Sequence, residues 1–326
     1  MRRLLLALAA VLLVAGCGEP VDTAKVTYPR TTVPAGALPS NDSTSTGGQT
    51  PRTNDPAFAP EKLRVLDPCP LLDEELLDQL GSPAENNRGG YSECANYMED
   101  DEGKDLNITL TLGDKVVDAD AAEDVIGGLP AMEKMLDGND ACFVTVVTST
   151  SPNYGIVIQT NGGADDLCGA GRKVMTDVVE RIRSDSPEYD LARGTLIDLD
   201  PCSLFEGDAL NENLGGETEN SPYNLHWCNW TGPTATLGVW LRLGFNPELG
   251  GNGDQVDLGG GIKGFQEKTV STAGSCQLEW KHRPFAGDDV EIVTLTLDIR
   301  ELKAGADPCA PAQAIAKTLI PALPKA

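Results

Sequence analysis

Hydrophobic residues are distributed along this chain in patterns that change with position. Leu4 to Val14 form an unbroken apolar run after Arg2-Arg3, ending in the small residues Ala15-Gly16 and then Cys17. The run is too short to cross a bilayer as a helix, and its charged start and small-residue end fit a secretory signal peptide over 1–16. From 17 to 60 the pattern vanishes. The stretch "TTVPAGALPSNDSTSTGGQTPRTNDPAFAP" has neither helical nor strand periodicity and few large apolar side chains. Such a segment buries too little surface to offset its ordering entropy, so a disordered tether is expected, with an r.m.s. reach of ~35–40 Å.

Beyond residue 60 the periods of strand and helix take over. "LNITLTL" at 106–112 and "TLGVWLRLGF" at 236–245 alternate apolar and polar, as half-buried strands do. "YSECANYME" and "LHWCNWT" read as shorter strands. "ACFVTVVTS" with "YGIVIQTNG", and "SCQLEWKH" with "DVEIVTLTLDI", read as two strand pairs. Val174, Val178 and Ile182 recur at helical spacing within "GAGRKVMTDVVERIRS", and "APAQAIAKTLIPAL" reads as a second closing helix. Short helices are expected at 73–80 and 208–214, each ended by Leu-Gly, and "DADAAEDVIGGL" offers one further helical turn.

These elements come twice in the same order. Cysteines 69, 94, 142 and 168 are spaced 25, 48 and 26; cysteines 202, 228, 276 and 309 are spaced 26, 48 and 33. The expected organisation is a tandem duplication, repeat 1 over 61–187 and repeat 2 over 188–326, with the boundary in "SDSPEYDLARG". The expected class is α+β: two modules, each a mostly antiparallel sheet with helices packed on it.

The 326 residues carry a formal net charge of −25. Repeat 1 has 26 acids and 10 bases, and repeat 2 has 20 and 10, so both share the excess. That charge argues against nucleic acid, whose phosphates it would repel, and against basic-patch binding to anionic lipid. Export reframes the cysteines. Cys17 closes Val14-Ala15-Gly16-Cys17, which looks like a bacterial lipobox, so it is the expected lipidated N-terminus. The other eight are an even number in an oxidising compartment, and no Cys-x-x-Cys pair points to zinc or redox exchange.

Four cysteines follow an aspartate by two: Asp67-Pro68-Cys69, Asp166-Leu167-Cys168, Asp200-Pro201-Cys202 and Asp307-Pro308-Cys309. Aspartate can cap free N–H groups at a helix start, and proline fits the first helical position. Each repeat allows three pairings. The favoured scheme joins helix starts, Cys69–Cys168 and Cys202–Cys309, and strand cysteines, Cys94–Cys142 and Cys228–Cys276.

The lipobox, the tether, "DPCxLL", the Leu-Gly after it, Cys228-Asn229-Trp230 on a strand, the Gly-rich step before "CFVTVV" and the Cys-led final helix resemble the actinobacterial surface lipoproteins grouped as domain-of-unknown-function 3558. The resemblance covers nearly all of 60–326, once per repeat. Repeat 1 departs from it with Cys94-Ala95-Asn96-Tyr97, so its core there must be filled differently. The resemblance implies a surface-anchored, disulfide-bonded domain of an actinobacterial envelope and no activity. More loosely, each unit is similar to PsbP-like sandwiches and to sensor domains of mycobacterial kinases.

Chemistry-bearing motifs are sparse. Neither HExxH, GxSxG nor a P-loop occurs. If Cys228 and Cys276 faced each other, His226 and His282 would stand roughly 13 Å apart, too far to share zinc. "MEDDEGKD", "DADAAED" and "GGNGDQVDL" lack the ligand spacing of a calcium loop, so no metal or cofactor is expected. Strand alternation sends Trp230 and Trp280 to the core with Cys228 and Cys276, and turns Trp227, Trp240 and Arg242 outward. These three make an aromatic site for glycan or another apolar partner, unless a helix or the other repeat covers them.

The expected function is a membrane-anchored, extracytoplasmic lipoprotein that binds a ligand or envelope partner without catalysis. An envelope enzyme with an unrecognised site and a passive structural spacer are the alternatives.

Overall fold

The computed structural model describes residues 53–206, 208–250 and 253–326. The expected signal peptide, Cys17 and most of the expected tether lie outside the described residues. The first half contains β1 (Gly81–Ser82), β2 (Asn87–Arg88), β3 (Glu93–Asp100), β4 (Asp105–Lys115), β5 (Asp124–Ile126), β6 (Leu129–Met135), β7 (Ala141–Thr150) and β8 (Asn153–Gly162). Its helices are α1 (Pro60–Leu63), α2 (Glu74–Leu77) and α3 (Leu167–Ser184). The second half contains α4 (Asn211–Leu214), β9 (Glu219–Asn224), β10 (Trp227–Thr231), β11 (Ala235–Phe245), β12 (Asp254–Asp257), β13 (Lys263–Val270), β14 (Gly274–Pro284), β15 (Asp289–Ile299) and α5 (Cys309–Leu319).

All fifteen strands among the described residues belong to one sheet, and every pairing in it is antiparallel. This corrects the expected class. The molecule is not a pair of helices-on-sheet α+β sandwiches. α3 and α5 are the only α-helices among the described residues longer than four residues, and the strands dominate. Sequence reading undercounted strands because β5, β6, β12 and β13 lie in Gly-rich or charged stretches that look like loops. The sheet is continuous because β4 outruns β3. A bulge between Leu112 and Asp114 carries the strand onward, and Asp114 then pairs with Asn224 of β9.

The pairing order is the same in the two halves. It runs β3-β4-β8-β7-β6-β5 in the first and β10-β11-β15-β14-β13-β12 in the second. α3 lies on β7 and β8, and α5 on β14 and β15. Val174, Val178 and Ile182 are buried on α3, as their spacing predicts. All four Asp-x-Cys aspartates accept a hydrogen bond at the start of their turn: Cys69 N to Asp67 (3.0 Å), Gly169 N to Asp166 (2.8 Å), Cys202 N to Asp200 (3.0 Å) and Cys309 N to Asp307 (3.2 Å).

The disulfides differ from the expected scheme. They join Cys69–Cys94, Cys142–Cys168, Cys202–Cys228 and Cys276–Cys309, with Cα atoms 5.1–5.3 Å apart. Cys94–Cys142 and Cys228–Cys276 are geometrically closed off. β3 and β7 are three strand steps apart, as are β10 and β14, or about 14 Å at the usual spacing. A disulfide tolerates a Cα separation of only ~7 Å. Each strand cysteine instead points into the core and meets the helical turn lying above it. The joined helix starts, Cys69–Cys168 and Cys202–Cys309, are thereby excluded too.

Each half has its own apolar core, and at the junction the halves exchange one side chain each. Leu225 packs in the first half's core, and Tyr91 in the second's. The two positions correspond: Ser92 O accepts from Leu112 N as His226 O accepts from Leu241 N. Gly113, at φ +66°, makes room for Leu225, since a Cβ there would sit 2.2 Å from the leucine side chain. Further bonds cross the junction, from Arg64 Nε to Leu225 O (3.1 Å) and from Tyr154 Oη to Asn224 O (3.3 Å).

Candidate functional site

Trp230 and Trp280 are buried in the second core, as alternation predicts. Trp227, Trp240 and Arg242 come together on the opposite face of the sheet. The register of β10 and β11 sets Trp227 directly across from Trp240, and the indoles stack with centroids 5.4 Å apart and planes 20° from parallel. Tyr223 extends the stack beyond Trp227 at 4.6 Å, and the Arg242 guanidinium lies over Trp240 at 5.3 Å. Asn229 Oδ1 accepts from Trp227 Nε1 at 3.0 Å. Arg242 donates to Glu279 (2.6 Å) and to Thr294 Oγ1 (3.0 Å), which fixes its head group. The result is a four-member ladder standing on the sheet. Its inner ring faces are turned toward one another, and its edges and the terminal Tyr223 meet solvent, with Trp240 37% and Tyr223 46% exposed.

The ladder borders a cleft of about 80 Å³ at the junction of the halves, lined by Gly90, Ser92, Glu93, Asn224, Trp240 and Arg242 among others. Glu93 and Thr111 hold the places in the first half that Trp227 and Trp240 hold in the second, each pair directly cross-strand. Burial pushes the Glu93 carboxyl above its usual range, and the charge of Asp114 pushes it further. Burial likewise raises Asp114, against the bond its carboxylate accepts from Lys115 N. No local pattern announces the cleft, because the pairing that joins the halves, Asp114 with Asn224, links residues 110 positions apart.

One arrangement in the cleft has the outline of a catalytic pair. His226 Nε2 lies 2.9 Å from Ile197 O, so this nitrogen carries the proton. Nδ1 is then the acceptor, and Ser92 Oγ donates to it at 3.1 Å. A general base must hold a proton during the reaction, and this imidazole is poorly placed to do so. Burial pushes its pKa down to about 3, and Arg64 works in the same direction. A carbonyl orients the ring where a carboxylate would stabilise the imidazolium. The pair reads as a satisfied polar plug between the halves. His282 is held by Gly194 O at 2.9 Å. Among the described residues no group of three His, Cys, Asp or Glu is arranged to hold a metal ion.

Next to this plug, the Tyr91 hydroxyl is buried without a hydrogen-bond partner among the described residues. Burial raises its pKa, and the charge of Glu291 adds to that. Glu291 is fully buried and clamps the segment entering the second half, accepting from Thr195 Oγ1 and Leu196 N, both at 2.7 Å.

A family model described as "Protein of unknown function (DUF3558)" matches residues 12–181. No curated protein and no solved structure matches the chain. The four disulfides are compatible with an extracytoplasmic protein, and no helix among the described residues is long and apolar enough to cross a membrane.

Proposed function

This chain belongs to the DUF3558 family, and from that premise we propose that it is a lipid-anchored, non-catalytic binding protein of the actinobacterial cell envelope. In this reading residues 1–16 are removed, Cys17 carries the lipid, and the tether holds two copies of the family fold clear of the membrane. The identical strand order of 61–187 and 188–326 and the corresponding disulfides support two copies. The observation that carries a binding role is the uncovered ladder of Tyr223, Trp227, Trp240 and Arg242 beside the junction cleft. Large aromatic side chains left on an open sheet face beside a concavity are the usual makings of a recognition surface. A passive spacer would gain nothing from them, and the neutral, buried His226 weighs against an enzyme.

Two experiments test this. Metabolic labelling with an alkynyl fatty acid should mark the wild type and leave Cys17→Ala unmarked; label on both contradicts the anchor. A thermal-shift panel of envelope glycans, lipids and peptides should yield a stabilising ligand whose effect is lost in Trp240→Ala. A panel without a hit, or hits indifferent to Trp240, contradicts the binding role.

A further inference from the structure

Apart from the aromatic ladder, the first half has an open sheet face of its own, and we propose that it binds an uncharged glycan chain laid across β4, β8 and β7. Alternation fixes what this face carries. Leu106, Ile108 and Leu110 of β4 and Ile156 and Ile158 of β8 turn into the core, on the side where α3 packs. Asn107, Thr109, Thr111, Gln159 and Asn161 alternate with them and turn outward, all half-buried. The register sets them in rows, with Asn107 across from Asn161 and Thr109 across from Gln159. None of these five side chains takes part in a hydrogen bond among the described residues. Their polar atoms reach solvent, since Tyr91 Oη is the only buried side-chain polar atom left without a partner among the described residues. Thr160, which alternation turns inward, instead donates to Leu167 O at 2.8 Å.

The distribution of charge selects the ligand class. The chain has a net charge of −25. On this face charge stands at the rim, on Glu93, Glu99, Asp105, Asp114 and Lys134, and the outward positions of 107–111, 157–161 and 141–147 carry none. An anion laid on the centre would find no basic group to replace its hydration, and a cation no acid. Side-chain amides and hydroxyls each donate and accept, as the hydroxyls of a sugar chain do. Aromatic rings stand at the two ends: Tyr97 on β3, 59% exposed, and Phe143 on β7, half-buried. Their strands are three steps apart, about 14 Å at the usual spacing. The apolar C–H face of a sugar ring packs on an aromatic ring, and an oligosaccharide reaches both where a single sugar reaches one. An extended peptide fits less well. Peptides add to a sheet at an edge through free backbone groups, and β4, β8 and β7 are paired on both sides.

The test is isothermal titration calorimetry on the disulfide-intact protein with cellohexaose, maltohexaose and mannohexaose, and with hexagalacturonate as the anionic control. At least one neutral hexasaccharide is expected to bind saturably, its disaccharide about tenfold more weakly, with hexagalacturonate silent. Tyr97→Ala, at an exposed position, is expected to weaken the hexasaccharide about tenfold while leaving the thermal unfolding midpoint unchanged. Gln159→Ala repeats the measurement at a hydrogen-bonding position. Absence of binding by all three neutral chains, equal binding of hexagalacturonate, or an affinity unchanged in both variants overturns the inference. So does a glycan lost in Trp240→Ala and kept in Tyr97→Ala, a result that leaves the ladder as the binding face. A hexasaccharide weakened in Tyr97→Ala supports this face even where the ladder yields no ligand. Dimerisation in sedimentation velocity that Tyr97→Ala abolishes and the hexasaccharides leave untouched would give the face to a second copy of the chain and overturn the glycan.

Discussion

The two halves have one strand order and fill it with different chemistry. Beside Cys228 the core position two residues on is Trp230, which packs edge-on against Phe205 with centroids 5.2 Å apart. The matching position beside Cys94 is Asn96, equally buried. Its amide exchanges bonds with Ala84, accepting from N at 3.0 Å and donating to O at 2.7 Å, and donates to Asn86 Oδ1 at 2.8 Å. Asn86 in turn donates to Cys69 O and Leu72 O. One half fills the space with an indole, and the other with a closed amide network that pins the chain between 84 and 86. Both solutions leave the disulfide beside them in the same place. A fold of this kind fixes where a side chain points and leaves open how its volume is satisfied. The outward faces diverge by the same rule: Trp227 and Trp240 stand where Glu93 and Thr111 stand.

The sharpest way to break this comparison is to empty both positions. Trp230→Ala removes a large buried aromatic and should cost about 3–5 kcal/mol of unfolding free energy. Asn96→Ala should cost about 1–3 kcal/mol, mainly because the Ala84 and Asn86 groups lose their buried partner. Denaturant melts of the two variants give the answer, and a larger loss for Asn96→Ala would mean that the network carries more of the core than the indole does.

A second contrast concerns the matched pair Ser92 and His226. The folded-state pKa of His226 lies near 3, below the unfolded value of 6.5. Between those values the unfolded chain binds the proton that the folded chain refuses. The contribution of neutral His226 is therefore fully present above pH 6.5 and is lost as pH falls toward 3, at about 1.4 kcal/mol per pH unit. Glu93 and Asp114 work with the opposite sign, since their folded pKa values are raised and they weigh less on the fold when protonated. The His226 effect is thus read from its own imidazole resonances, which should stay at the neutral position from pH 8 to 4. Titration near 6.5 would contradict the plug.

The smallest effect is set by the exchanged pair, Tyr91 and Leu225. Tyr91→Phe removes a buried hydroxyl that has no hydrogen-bond partner among the described residues, so the variant should match or exceed the wild type by up to ~1 kcal/mol. A measurable loss of stability would contradict this and reveal a bond from the hydroxyl, with Glu291 the acidic side chain beside it.

Much of this fold could be read from the chain, and the parts that could not share a cause. The long strands at 106–112 and 236–245, the helix through Val174, Val178 and Ile182, the four aspartate caps and the sorting of the tryptophans all follow from local periodicity or from chemistry within four residues. The disulfide partners depend on which strands lie side by side, and cysteine spacing does not encode lateral strand order. The single 15-stranded sheet depends on one bulge and one pairing, Asp114 with Asn224. The place of Glu93 in the cleft carries no local signal. It lines the junction cleft only because the second half brings Asn224, Trp240 and Arg242 up against it.

In the binding role proposed above, the face carrying Trp227 and Trp240 is where this protein meets its ligand. Hydroxyl-radical footprinting read by mass spectrometry tests it directly, on the purified chain and on the same protein in intact cell envelopes. Trp240 and Trp227 are expected to label when purified and to be protected in the envelope, with Trp230 and Trp280 unlabelled in both. Equal labelling of Trp240 in the two states would contradict it.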